Sequence, residues 1–131
     1  MRISERHVRD ITVLDLVGKL TLTDGPGRVK DKITNLVYQG HRQIVLNLAE
    51  ITYVDSSGLG ELVACHLTAE RGGGCIKLAN AGYRMQDLLV LTKLLTIFES
   101  HRSEAAAIDS FSRTALPPVQ ETREVLWSRI F

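Results

Sequence analysis

Short apolar runs alternate along the chain with segments whose apolar residues recur every three or four positions. Residues 11–17 are β-branched and apolar and stop at Gly18, which is typical of a strand, and an earlier strand is predicted over 3–9. After the turn-rich residues 23–27, apolar positions with helical spacing predict a helix that Gly40 ends. The residues on that helical face are Val29, Ile33, Leu36 and Val37.

The same alternation continues through the second half of the chain. Residues 43–48 are a short apolar run, typical of a strand buried on both faces. A helix is predicted over 59–70, directly after Ser56, Ser57 and Gly58, and three consecutive glycines end it. The remaining predicted elements are a strand at 75–79, a helical stripe of Met85, Leu88, Leu89 and Thr92, a strand at 96–98 and a helix at 103–111.

This order of elements predicts an α/β fold. Strands that alternate with helices form a mostly parallel sheet. Only a turn separates the first two strands, so that pair is expected to be antiparallel and the sheet mixed, with four to five strands and helices packed on it. We assign residues 1–113 to this domain. The Leu116-Pro117-Pro118 break sets apart a tail, residues 114–131, to which the sequence assigns no role.

Composition narrows the classes of partner. The 131 residues carry 16 Lys plus Arg and 15 Asp plus Glu, a formal net charge of +1. A balance this close to neutral argues against nucleic acid or an anionic membrane as the main partner. No run approaches the ~18–20 apolar residues of a membrane helix, and the first residues lack the apolar core of a signal peptide. We therefore expect a cytoplasmic protein with no membrane insertion.

The cysteines predict neither a zinc site nor a disulfide framework. The chain has two, Cys65 and Cys75, with no further Cys or His at finger spacing. We expect both to be free, buried thiols in a reducing compartment. No metal ligands and no cofactor are predicted.

One polar stretch, Asp55-Ser56-Ser57-Gly58, stands between a buried strand and a helix, where open α/β sheets carry their functional loops. Asp and Ser before a helix are good N-capping residues, so a structural role alone explains them. The same position also suits a phosphoserine, which brings roughly −1.5 to −2 charges. The free amides and positive end of the helix accept such a group, while a docked partner would meet a new hydrated dianion.

Residues 44–62, with Val45-Leu46-Asn47-Leu48 followed by Val54-Asp55-Ser56-Ser57-Gly58-Leu59-Gly60, closely resemble the STAS domain of bacterial anti-sigma factor antagonists. The resemblance covers about residues 8–111. It implies the STAS fold, and it implies that Ser56, the first Ser after the Asp, is the regulatory phosphorylation site. The partner-binding residues it implies are Asp55, Ser56, Ser57, Gly58 and Leu59, together with Thr21 and Asp24 in the loop after the second strand.

The function implied by the resemblance is partner switching. The unphosphorylated antagonist binds an anti-sigma factor, which is also a serine kinase with a histidine-kinase-like ATPase fold, and the sigma factor is released. Phosphorylation of Ser56 reverses this binding, and a PP2C-type phosphatase resets the cycle. The chain itself would be a substrate in that cycle, not an enzyme.

Departures from the family pattern leave a second function open. Family members often have Gly-Glu-Leu-Asp after the second strand, where this chain has Gly18-Lys19-Leu20-Thr21. Two acidic groups are thus missing from the loop that helps to form the partner surface. The alternative is a STAS module that is never phosphorylated, acting as a scaffold subunit or as an accessory of a lipid transporter.

A serine hydrolase is the enzymatic rival, and the sequence argues against it. The nucleophile elbow requires Gly-x-Ser-x-Gly, and Val54 stands where its first Gly belongs. His66 lies ten residues beyond Ser56, on the helix predicted directly after the serines, and is too constrained to reach back to Ser56 as a base.

Overall fold

The structure, a computed structural model, describes residues 1–21 and 27–114. The strands are β1 (Arg2–Val8), β2 (Ile11–Leu20), β3 (Gln43–Val54), β4 (Cys75–Ala79) and β5 (Glu99–His101). The helices are α1 (Arg28–Tyr38), α2 (Ser56–Arg71), α3 (Tyr83–Leu91) and α4 (Glu104–Thr114), and a 3₁₀ turn spans Leu94–Thr96. Most of the predicted tail, and Asp24 with its loop, lie outside the described residues.

The described strands form one sheet in the order β1-β2-β3-β4-β5. β1 is antiparallel to β2, and every later pair is parallel. The prediction of a mixed, mostly parallel α/β sheet is therefore confirmed. Because crossovers between parallel strands are right-handed, a sheet that grows in one direction places its connecting helices on one face.

Two apolar clusters hold the helices to the two faces of the sheet. The larger one joins α1, α2 and α3 to the sheet through residues spaced three or four apart on each helix, such as Leu62, Cys65 and Ala69 of α2. The smaller one seats α4 on the opposite face through Ala107, Ile108 and Phe111. The sheet is thus covered on both sides, which explains why the sequences of β2, β3 and β4 contain nearly continuous apolar runs.

Four local predictions need correction. β3 does not stop at residue 48 but continues to Val54, and α2 begins at Ser56, three residues before the predicted start. The strand predicted at 96–98 is instead the end of a 3₁₀ turn followed by Phe98, and the strand lies at Glu99–His101. Both cysteines are free, but only Cys65 is buried, whereas Cys75 is exposed.

Candidate functional site

The candidate site is the junction at which β3 ends and α2 begins. Asp55 links the two elements in an extended conformation, with φ −110° and ψ −176°. Its Oδ1 accepts a hydrogen bond from the N–H of Gly58 at 2.8 Å, so Asp55 is the N-cap of α2. Its own N–H donates to the carbonyl oxygen of Leu20 at 3.3 Å, which fixes the cap against the end of β2.

Ser56 and Ser57 occupy the first two positions of α2, and both are exposed. The N–H groups at these positions have no acceptor within the helix, and the helix dipole concentrates positive charge there. The Asp55 carboxylate accepts a hydrogen bond from the third amide, that of Gly58. The Ser56 hydroxyl therefore stands in solvent beside groups that stabilise an anion.

Gly58 is required by a close approach of α2 to β2. A Cβ atom added at Gly58 would lie 2.0 Å from the carbonyl oxygen of Leu20, far inside van der Waals contact. The next residue, Leu59, is 9% exposed and belongs to the larger apolar cluster. These two residues of the predicted site therefore position the first turn of α2, while Asp55, Ser56 and Ser57 form its surface.

Glu61 joins a third element to the site, and the sequence analysis did not identify it. α1 begins after Gly27, which has no side chain to cap the helix. The Glu61 carboxylate accepts hydrogen bonds there instead, from the N–H groups of Gly27 at 3.3 Å, Val29 at 2.8 Å and Lys30 at 3.1 Å. No local signal reveals this contact, because Glu61 is more than 30 residues away from the amides it caps.

The predicted second part of the site follows β2. Thr21 is buried at the end of that strand, next to Leu20, and so lies beside the start of α2. Asp24 lies outside the described residues. Gly58 of α2 approaches Leu20 closely, and Glu61 of α2 accepts a hydrogen bond from Gly27, so both of these residues lie against α2.

The described residues offer no ready metal site. Within residues 1–21 and 27–114, no three His, Cys, Asp or Glu side chains are grouped so that they could hold a metal ion.

The buried Cys65 thiol has its pKa raised to about 12, chiefly by loss of solvent and then by the nearby Glu61 charge. Among the residues that the structure describes, no helix combines the length and apolar character needed to cross a membrane.

Comparison with known proteins agrees with this architecture. The STAS domain model matches residues 2–107. This chain belongs to the STAS domain family. It is 30% identical over 101 residues to the anti-sigma-B factor antagonist of Bacillus subtilis (strain 168), a match that covers 76% of this chain and 90% of the relative.

Solved STAS structures share the fold at lower identity. The anti-sigma factor antagonist SpoIIAA in its unphosphorylated form matches with a TM-score of 0.64 at 23% identity, over 85% of this chain and 98% of its own. Phosphorylated Bacillus SpoIIAA gives a TM-score of 0.65 at 23% identity, covering 84% and 99%. A sulfate transporter family protein from Wolinella succinogenes gives 0.66 at 11% identity, covering 82% and 89%. The STAS fold expected from the resemblance is thus confirmed.

Proposed function

We propose that this STAS protein is an anti-sigma factor antagonist whose binding is switched by phosphorylation of Ser56. The observation that carries the proposal is the position of Ser56, exposed at the first residue of α2 and directly after the capping Asp55. Homology to an anti-sigma-B factor antagonist supports the same role.

In the unphosphorylated state the partner-binding surface consists of the first turn of α2 and the chain that leaves β2. The Ser56 and Ser57 hydroxyls are small and neutral, so a partner that packs over them buries no charge at either serine. The Asp55 carboxylate is held in place by its hydrogen bond from the Gly58 amide. The contacts of Gly58 with β2 and of Glu61 with α1 hold the start of α2 in place, which lowers the entropy that this turn loses on binding.

Phosphorylation changes this surface by charge without unfolding it. The new group brings roughly −1.5 to −2 charges and three acceptor oxygens. The free amides at the start of α2 stabilise it within this protein, so the modified form remains folded. A partner that packs over the turn must then desolvate a dianion next to the Asp55 carboxylate, and binding is lost.

The partners of this switch follow from the family resemblance. The unphosphorylated protein binds an anti-sigma factor that is also a serine kinase with a histidine-kinase-like ATPase fold, and the sigma factor is released. That kinase phosphorylates Ser56, and a PP2C-type phosphatase removes the phosphate. The protein acts in the cytoplasm as a regulatory subunit and substrate, not as an enzyme.

A pull-down from lysate of the native host tests the proposal. Full-length Ser56→Ala and Ser56→Asp proteins serve as baits, and Ser112→Asp is the matched control because it places the same charge on an exposed serine of α4, on the opposite face of the sheet. We expect a protein with a histidine-kinase-like ATPase domain on the Ser56→Ala bait and its loss on Ser56→Asp. Loss that is equally complete on Ser112→Asp and on Ser56→Asp would contradict the assignment of the switch to Ser56.

A specific feature favours a second candidate function. Lys19 is exposed near the end of β2, where family members often carry an acidic residue, and Thr21 replaces another. A STAS scaffold or transporter accessory that is never phosphorylated would show the same set of partners on both Ser56 baits, with no kinase among them.

A further inference from the structure

The second half of β3 has an open edge. β3 pairs with β4 only from Gln43 to Asn47, whereas its pairing with β2 continues to Val54. The Asn47 side chain marks the end of the β4 pairing, since its Oδ1 accepts hydrogen bonds from the Ala49 N–H at 3.2 Å and from Asn80 Nδ2 at 2.9 Å. Beyond that point, no strand among the described residues pairs with residues 48–54 on this side.

A cleft of about 540 Å³ lies between this open edge and α3. Its apolar lining comes from Leu48 and Ile51 of β3 and from Met85 and Leu88 of α3. Leu48 and Met85 are buried, so the base of the cleft is continuous with the larger apolar cluster. The cleft thus offers an apolar base next to backbone groups that have no partner strand.

Two tyrosines line the cleft, one from each side. Tyr53 on β3 is 51% exposed, and Tyr83 at the start of α3 is 90% exposed. Tyrosine is enriched at protein interfaces relative to the rest of the protein surface. Their position favours contact with a partner that lies along the cleft.

One end of the cleft's rim is positively charged. Arg84 is exposed in the first turn of α3 and forms no ion pair with any residue that the structure describes. α3 starts after Gly82, which supplies no side-chain cap, so the positive end of the helix dipole adds to the Arg84 charge. Asp87 lines the cleft one turn further along, which confines the positive charge to one end.

We propose that this cleft binds an extended peptide segment of a partner protein, which adds to the open edge of β3 and places an acidic residue at Arg84. A strand edge facing a helix across an apolar groove suits β-augmentation, in which main-chain hydrogen bonds give affinity and alternate side chains give specificity. A small apolar ligand would fill the cleft but would not pair with the β3 edge that faces away from β2. The site requires no phosphate and does not depend on the switch at Ser56.

The probe is a synthetic heptapeptide obtained by selecting a random-heptamer phage library on the full-length protein. We expect the selected peptides to alternate apolar and polar residues and to carry an acidic residue. Binding of the synthetic peptide is followed by backbone amide NMR, and we expect shifts at residues 48–54 and 82–88. Alternate N–H groups of an extended peptide face the β3 edge. Methylating those nitrogens should abolish binding, whereas methylating the nitrogens in between should leave it intact.

Charge reversal provides the matched control. Arg84→Glu should weaken the affinity for the peptide about fivefold, which is the effect of losing one ion pair at the rim. Arg71 is exposed at the far end of α2, so Arg71→Glu should leave the affinity unchanged. Shifts confined to α2, equal binding to wild type and Arg84→Glu, or failure of the selection would overturn the proposal. If octanoate shifts the cleft resonances and no peptide does, the cleft is a small-ligand site and the proposal is wrong.

Discussion

The carboxylate of Glu61 caps a helix other than its own: its Oε2 accepts a hydrogen bond from the N–H of Val29 at 2.8 Å. Glu61 lies in the second turn of α2, and Val29 lies in the first turn of α1. A carboxylate at a helix N-terminus satisfies orphan amides and interacts favourably with the dipole. The two helices that flank the chain leaving β2 are therefore tied together by one side chain.

This cap predicts a measurable loss of stability on truncation. Glu61→Ala should lower the free energy of unfolding in urea by about 1–2 kcal/mol, as expected for loss of an N-cap. Glu61→Gln retains an acceptor oxygen and should lose less. The control is Glu50→Ala, because Glu50 is exposed on β3. Equal effects of Glu61→Ala and Glu50→Ala would show that the cap contributes nothing.

The close approach at Gly58 predicts a larger effect. In Gly58→Ala the new methyl group would meet the Leu20 carbonyl oxygen at 2.0 Å, so α2 must shift away from β2. We expect a loss of about 2–3 kcal/mol in the free energy of unfolding.

Gly60 provides the internal comparison for Gly58. An added Cβ there meets nothing within 4 Å, and Gly60 lies inside the same helix. Gly60→Ala should therefore stabilise the protein by up to about 1 kcal/mol through helix propensity. If both substitutions change the urea midpoint in the same direction, the steric account of Gly58 is wrong.

The ion pair between β1 and β2 predicts a pH dependence of stability. Arg6 holds the Asp15 carboxylate with two nitrogens, Nε at 2.6 Å and Nη2 at 2.9 Å. Hydrogen bonding to Arg6 lowers the pKa of Asp15, burial opposes this shift, and the Asn47 amide at 2.7 Å reinforces it. The pKa in the folded state is thus below the value of about 3.9 in an unfolded chain.

The sign of the effect follows from that difference. The unfolded state takes up a proton first as the pH falls, so the contribution of Asp15 is complete above about pH 5 and is lost as the pH falls below 4. The free energy of unfolding measured in urea should therefore fall between pH 6 and pH 3 by more in the wild type than in Asp15→Asn. Asp10→Asn, at an exposed turn position, should follow the wild type. Parallel curves for wild type and Asp15→Asn would contradict this account.

Much of the fold could be predicted because burial on two faces leaves a strong pattern. β4 matches its predicted bounds, since its apolar residues are covered on both sides of the sheet. The end of β3 was missed because pairing with β4 ceases at Asn47 and the charged Glu50 interrupts the apolar run, while pairing with β2 keeps the strand extended. β5 was misplaced because Phe98, the apolar signal, enters the core just before the strand, whose own residues are polar.

The candidate site likewise has features that the sequence predicts and features that depend on the tertiary structure. Asp55 as a helix cap follows from local chemistry, and so does the exposure of Ser56 beside it. The reason for Gly58 and the role of Glu61 depend on where β2 and α1 lie in space, which no local pattern encodes. The open edge of β3 is likewise a property of the neighbouring strand, which is too short to cover it.

The most direct measurement of the central claim compares unmodified protein with protein that carries phosphoserine installed at position 56. Calorimetric titration against the purified kinase-like protein captured by Ser56→Ala gives both dissociation constants. We expect phosphorylation to weaken binding by about 5–150-fold, while circular dichroism and the urea midpoint show that both forms are folded. Equal dissociation constants for the two forms would contradict a switch at Ser56.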